Sequence, residues 1–249
     1  MFPLKDENPH PIGFKPIATY SLIFLNVVAF VYEILYIGQF FDFTNKNALE
    51  LFYEFGTVPN CIIGSDVIKM NMNYQEMIIK CPDASYFRLL TSMFLHGGLM
   101  HLGGNMLFLW IFGDNIELKF GKFKYVLAYC FWGISAGLLH VLGDINNVIP
   151  AIGASGAISG ILGAYLMIFP KAKIITFMMW GFFWRTIRIQ AKWFLPFWLI
   201  FQNIFPLFVG GFGFANEGVA YLAHIGGFSV GLIFGYVYKI THKTEFSYR

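Results

Sequence analysis

Six stretches of mostly apolar residues dominate this chain, at about 17–39, 94–113, 123–143, 155–170, 193–212 and 218–240. Most approach the roughly 20 residues that a helix needs to cross a bilayer. Lipid offers the backbone no hydrogen-bond partners, so such segments are expected to be helices. Composition agrees: 57% of the 249 residues are hydrophobic, 20% aromatic and only 12% charged, where a soluble domain carries about 25% charged residues. The expected fold is therefore all-α, a polytopic membrane protein with a bundle of six transmembrane helices over residues 15–240. Short tails at 1–14 and 241–249 flank it. Residues 174–184 number only eleven before Arg185 and are read as an interfacial segment, not a seventh span. The first apolar stretch follows a polar tail (KDENPHPIGFKP) and is too long for a signal peptide's apolar core, so it reads as a retained span.

Lysine and arginine set the orientation. The tail before span 1, the loops after spans 2 and 4 and the C-terminal tail together hold thirteen of the 17. The other side holds Lys46, Lys69, Lys80 and Arg88, all in the long first loop. Both termini are thus expected in the cytoplasm, and the even-numbered spans enter from the outer face. A net charge of +3, with no basic run interleaved with aromatics, excludes nucleic acid as a partner. Cys61 and Cys81 share the first loop and would pair only on an oxidising side; two unrelated thiols is the simpler reading, and Cys130 reads as packing. The first loop, about 40–93, is partly amphipathic (ALELFYEFGTVPN) and permits a solvated, partly disordered state.

Polar side chains in spans are costly and mark function by default. His101 and Asn105 lie in the first half of span 2, four apart and so on one helix face. Ser155 opens span 4 within GASGAISG (Gly153 to Gly160), and His224 lies early in span 6. All four fall in the outer half of the bilayer. Serine and histidine make a nucleophile and its base; His101, Asn105 and the free backbone N–H of Ser155 can donate to an oxyanion. Among outer-half acids only Glu217 at the rim is present in spans 2, 4 and 6, so the reading is a two-residue dyad without an acid. Glu33, near the outer end of span 1, is expected to reach the interface. Taken singly, each residue has a plainer explanation, since serine bonds back to its own helix and His or Asn joins helices. Their joint depth argues otherwise. Gly156-x-x-x-Gly160 in span 4 and Gly227-x-x-x-Gly231-x-x-x-Gly235 in span 6 would let the two helices pack closely beneath the serine and the histidine.

HGGLMHLGGN (His96 to Asn105), GASGAISG and AHIGGFSVG (Ala223 to Gly231), in this order and on even-numbered spans, resemble the rhomboid family of intramembrane serine proteases. The resemblance runs from about Lys15 to Lys239. It implies a compact six-helix bundle of prokaryotic type in the plasma membrane, open to the outer face. Transmembrane protein substrates would be cleaved near the membrane surface, within the lipid bilayer, and no cofactor or metal would be needed. It implies Ser155 as nucleophile, His224 as general base, and His101, Asn105 and the Ser155 backbone as oxyanion hole. His96, Gly153, Gly156, Gly227 and Gly231 would support the site, and Arg88 and Glu117 match family structural positions. Phe87 stands where many members carry Trp. Ser159 stands where some carry a Tyr that supports the imidazole.

Two other functions are consistent with a polytopic chain. A proteolytically inactive relative would bind transmembrane clients, but such relatives typically lose Ser155 or His224. A transporter or proton path would need polar partners towards both faces, and those of span 4 stop at its outer half.

Overall fold

The computed structural model describes residues 1–39, 45–72, 75–81, 83, 85–180, 183–209 and 220–242. In chain order, strand β1 (Phe2–Asp6) leads to helix α1 (Ile17–Ile37). The first loop then holds α2 (Lys46–Phe55), α3 (Pro59–Ile62), β2 (Val67–Met72), β3 (Gln75–Lys80) and α4 (Arg88–Thr91). Long helices α5 (Leu99–Phe120) and α6 (Lys122–Gly143) follow, then α7 (Ser155–Ile168). After strands β4 (Lys173–Trp180) and β5 (Phe183–Gln190) come α8 (Ala191–Leu199), a π-helical turn at Ile200–Ile204, α9 (Phe205–Val209) and α10 (Tyr221–Thr241). Helices α1, α6 and α10 are each long and apolar enough to cross a membrane; α7 is apolar but shorter. The chain is mostly helical. The second apolar segment begins and ends later than its hydropathy suggests; it ends later because the polar residues near its C-terminal end (Asp114, Asn115, Glu117) remain helical and are held by partners.

Helix α7 is the hub. Eleven of its fourteen residues are buried, and α5, α6 and α10 pack around it. Packing here depends on shape, since lipid tails are as apolar as the side chains. Fully enclosed Tyr125, Tyr129 and Trp132 of α6 and Phe112 of α5 fill the space beside it. On the α10 side there is no room for side chains. A Cβ on Gly227 would overlap the Gly156 carbonyl oxygen, and one on Gly231 the Gly160 carbonyl oxygen. Gly156 and Gly160 themselves face α6, where a Cβ would stand 2.8 Å from Ala136 Cβ and 2.5 Å from Trp132 Cβ. Helix α7 is thus pinched between two neighbours.

Two carboxylates tie α1 to α5. Glu117 accepts hydrogen bonds from the backbone N–H groups of Ala18 (3.0 Å) and Thr19 (2.7 Å) and from Thr19 Oγ1 (2.9 Å), satisfying donors at the start of α1. Glu33 does not reach an interface. It is fully buried and accepts the His96 N–H at 3.1 Å on each oxygen. It fixes the residue that leads into α5. A carboxylate on an apolar helix looks solvent-seeking only until the neighbouring loop supplies its donor.

The described residues of the first loop carry helices and a strand pair. Asn45 caps α2 by accepting the Ala48 N–H at 2.9 Å, and α2 buries Ala48, Leu51, Phe52 and Tyr53. Burial pushes the Tyr53 hydroxyl up to about 12. Cys61 and Cys81 are joined in a disulfide, with Cα atoms 5.4 Å apart, against the expectation of unrelated thiols. The antiparallel β2–β3 ladder sets this pairing: Val67 faces Lys80, and the Cys81 N–H donates to Asp66 O at 2.8 Å, so the ladder returns Cys81 to the end of α3. Thr57 and Ala151 exchange backbone hydrogen bonds of 3.0 and 2.8 Å, so the loop grips the segment before Ser155.

The bundle carries a sheet that the all-α reading did not include. Strands β4 and β5 form an antiparallel hairpin, and β1 pairs with β4 in the order β1-β4-β5. Of the segment 174–184, read as interfacial, the described residues 174–180 and 183–184 belong to a sheet in which alternate residues Ile174 and Thr176 are buried. β-Branched residues at period two (Ile174, Thr176 against Ile187, Ile189) fit that state. Asp6 of β1 accepts hydrogen bonds from Tyr165 Oη (2.6 Å), Asn8 (3.0 Å) and Asn115 (3.1 Å), which docks the N-terminal strand beneath α5 and α7. Burial raises the Asp6 carboxyl, opposed by the Tyr165 hydroxyl, by His10 and by Asn8. Glu217, the end of the fifth span and the start of the sixth, and residues 243–249 lie outside the described residues.

Candidate active site

Ser155 is the first residue of α7, a position whose backbone N–H has no acceptor within the helix. The chain reaches it through Gly153, at φ +121°, where an L side chain is strained. The Gly153 N–H donates to Ser92 O at 2.8 Å. A Cβ here would also stand 2.7 Å from His101 Nε2, so glycine is required twice: by its backbone and by the ring pressed over it.

Opposite Ser155, His224 is the fourth residue of α10, brought close by the glycine seam below it. Its Nε2 lies 2.7 Å from Ser155 Oγ, and its Nδ1 lies 2.6 Å from Asn203 Oδ1. Asn203 Nδ2 lies 3.4 Å from Trp198 O, which orients the amide oxygen towards the imidazole. A carbonyl oxygen only accepts, so Nδ1 carries the ring proton and Nε2 is left as an acceptor for the serine hydroxyl. Ser155 does not bond back to its own helix. Ser159 does, donating to Ser155 O at 2.7 Å.

A cavity of about 370 Å³ opens over this pair, lined by His101, Gly104 and Asn105 of α5 with Ser155, Trp198 and His224 among others. The Gly97 N–H donates to His101 Nδ1 at 3.3 Å, so the neutral ring bears its proton on Nε2, above Gly153. Asn105 is buried, and its Nδ2 has no hydrogen-bond partner among the described residues. Two side-chain donors therefore flank the serine. His96 is fully buried and its ring meets that of His101 edge-on at 5.1 Å; its Nδ1 lies 3.2 Å from Phe94 O. The structure brings Ser155, His224, His101 and Asn105 to one cavity; His96 and Gly153 lie against His101, while Gly156, Gly227 and Gly231 sit in the helix packing and do not line the cavity. The arrangement can activate a hydroxyl and can hold a developing negative oxygen. Among the described residues no cluster of metal-binding side chains occurs.

Two residues at the site were missed by sequence reasoning, Asn203 and Trp198. The rings of Trp198 and His224 lie 6.3 Å apart, tilted by 36°, so an aromatic from α8 stands beside the imidazole where Ser159 cannot serve. Asn203 had a visible signal: with Gln202 it interrupts an otherwise apolar span.

The Rhomboid domain profile matches residues 83–240. Rhomboid protease GluP of Bacillus subtilis is 30% identical over 213 residues, which cover 86% of this chain and 33% of that protein. Rhomboid protein 1, mitochondrial, of Saccharomyces cerevisiae is 30% identical over 166 residues, 64% of this chain and 44% of its own length. RHOMBOID-like protein 4 of Arabidopsis thaliana is 33% identical over 154 residues, 62% of this chain and 34% of that protein. The chain thus spans a third to somewhat under half of these relatives. The profile covers well over half of the chain and includes every residue of the cavity named above, and the chain belongs to the rhomboid family.

Proposed function

We propose that this protein is an intramembrane serine endopeptidase that cleaves transmembrane protein substrates near the outer membrane surface. The observation that carries the reading is the 2.7 Å contact between His224 Nε2 and Ser155 Oγ, at the floor of a cavity that also presents His101 and Asn105. Ser155 Oγ attacks the scissile carbonyl as its proton passes to His224 Nε2. The carbonyl oxygen becomes an oxyanion and takes hydrogen bonds from Asn105 Nδ2, His101 Nε2–H and the Ser155 N–H. Protonated His224 then gives its proton to the leaving amine. Water, deprotonated by the same nitrogen, hydrolyses the acyl-enzyme and frees Ser155. Membership of a family whose relative is named a rhomboid protease supports the assignment.

The same reading gives six spans, formed by α1, α5, α6, α7, the α8–α9 segment and α10, with residues 15–240 as the membrane domain. Both termini face the cytoplasm of a prokaryotic cell and the cavity opens outward from its plasma membrane. The lysine and arginine distribution supports this orientation. So does the Cys61–Cys81 disulfide, because such bonds persist where the surroundings are oxidising.

The test is incubation of the purified full chain, in detergent and in proteoliposomes, with a model single-span substrate. Wild type should cut it and Ser155→Ala should not. Equal amounts of uncut but bound substrate in both would instead identify a client-binding relative.

A further inference from the structure

The described part of the fifth span makes one polar contact with the proposed catalytic pair, and it comes from the point where the helix departs from α geometry. Helix α8 contains Pro196, which has no N–H to donate, and Ile200–Ile204 continues as a π-helical turn. Such turns shift the register of the side chains that follow and recur at functional sites. Here the flanking Phe201 and Phe205 point outward, 54% and 57% exposed, while Asn203 between them is 1% exposed. A buried amide is costly in an apolar setting unless its groups are paired. Both are used: Nδ2 reaches Trp198 O, and Oδ1 meets His224 Nδ1 at 2.6 Å.

We infer that Asn203 is a positioning residue for His224: Ser155 and His224 remain the two reacting groups, and Asn203 holds the imidazole in the tautomer and orientation they need. The inference rests on the serine-protease reading above. Its chemistry is tautomer control. Neutral imidazole carries one proton, and only the form protonated on Nδ1 leaves Nε2 free to take the serine proton. The Asn203 carbonyl oxygen selects that form and holds the ring plane towards Ser155. It also accepts from the imidazolium once Nε2 is protonated, with no change of partner during the reaction. Asn203 donates nothing to substrate and is placed outside the reacting atoms. No carboxylate is needed: an amide oxygen in this role orients the ring without placing a permanent charge in the bundle. Asn203 escapes a search for acids because it is neutral and lies on the fifth span, away from the even-numbered ones.

The test compares Asn203→Leu and Asn203→Asp with wild type and Ser155→Ala, reading kcat, KM and melting temperature on the same single-span substrate. Leucine keeps the volume and removes the acceptor. It should lower kcat on the order of 10²-fold, as misplacement of a catalytic group does, with KM and melting temperature nearly unchanged. Aspartate restores the acceptor and should recover most of the lost kcat. The inference is overturned if Asn203→Leu turns over like wild type, or if it loses activity in step with its melting temperature and aspartate rescues neither. Should leucine prevent folding, Asn203→Ala against Asn203→Asp makes the same comparison. A wild type that shows no Ser155-dependent cleavage would remove the protease reading itself, which is a distinct outcome.

Discussion

At the scale of single residues, Ser155 and His224 share one proton and should behave as a unit. Either Ser155→Ala or His224→Ala is expected to abolish nearly all cleavage. The double variant should lose little more than each single one, because removing one partner already disables the other; single-turnover rates of the three would reveal independent contributions as multiplicative losses. Asn105 acts on a different atom. Its Nδ2, without a partner among the described residues and in the same cavity as Ser155, should donate to the oxyanion, and loss of one such donor typically costs about 10²–10³-fold in kcat. Asn105→Ala should show that loss with nearly unchanged KM and an intact fold, and full turnover would exclude it from the oxyanion site. That Ser155, His224, His101 and Asn105 line one cavity agrees with a signal visible in the sequence, because each is a polar residue in an apolar segment next to a recognisable glycine pattern. Glu33 was misread from the same kind of signal: its partner is a backbone N–H in a loop, and composition does not reveal backbone donors.

At the scale of helices, the distance between Ser155 and His224 is set by backbone contact between α7 and α10. A methyl group on Gly231 would collide with the Gly160 carbonyl, and one on Gly227 with that of Gly156. Neither carbonyl can turn away without breaking the helix, so the helices must separate. Gly231→Ala is therefore expected to cut activity severely, since catalytic hydrogen bonds need roughly 2.6–3.2 Å, while helical content by circular dichroism changes little. Full activity in Gly231→Ala would show that the seam does not control the site. In the first loop, the Cys61–Cys81 disulfide closes a segment of 20 residues, worth up to about 3 kcal/mol through restriction of the unfolded chain. Cys61→Ser with Cys81→Ser should lower the melting temperature measurably and weaken the grip of Thr57 on Ala151. An unchanged melting curve would assign that grip to the packing of α2 alone.

At the scale of the whole molecule, orientation is the prediction that matters most. In a Cys130→Ala background, a membrane-impermeant maleimide added to intact cells should label Asn146→Cys, in the exposed loop after α6, and leave Lys171→Cys, after α7, unlabelled until the membrane is opened. The reverse pattern would invert the proposed topology and move the cavity to the cytoplasmic face. Either result leaves the fold as described, because hydropathy and packing do not depend on which face is outside. Sequence alone was enough to mark a mostly helical membrane protein and to single out four candidate catalytic groups in its apolar segments. Those properties are carried by local composition and by short motifs. It took the packed structure to show that Glu33 is buried, that Cys61 meets Cys81, that Lys173–Trp180 pairs with both the N-terminal strand and Phe183–Gln190, and that Asn203 reaches His224. Each of these joins a polar group to a partner distant in sequence or on the backbone. Such pairings depend on how helices rotate and pack against one another, and hydropathy carries no record of that rotation.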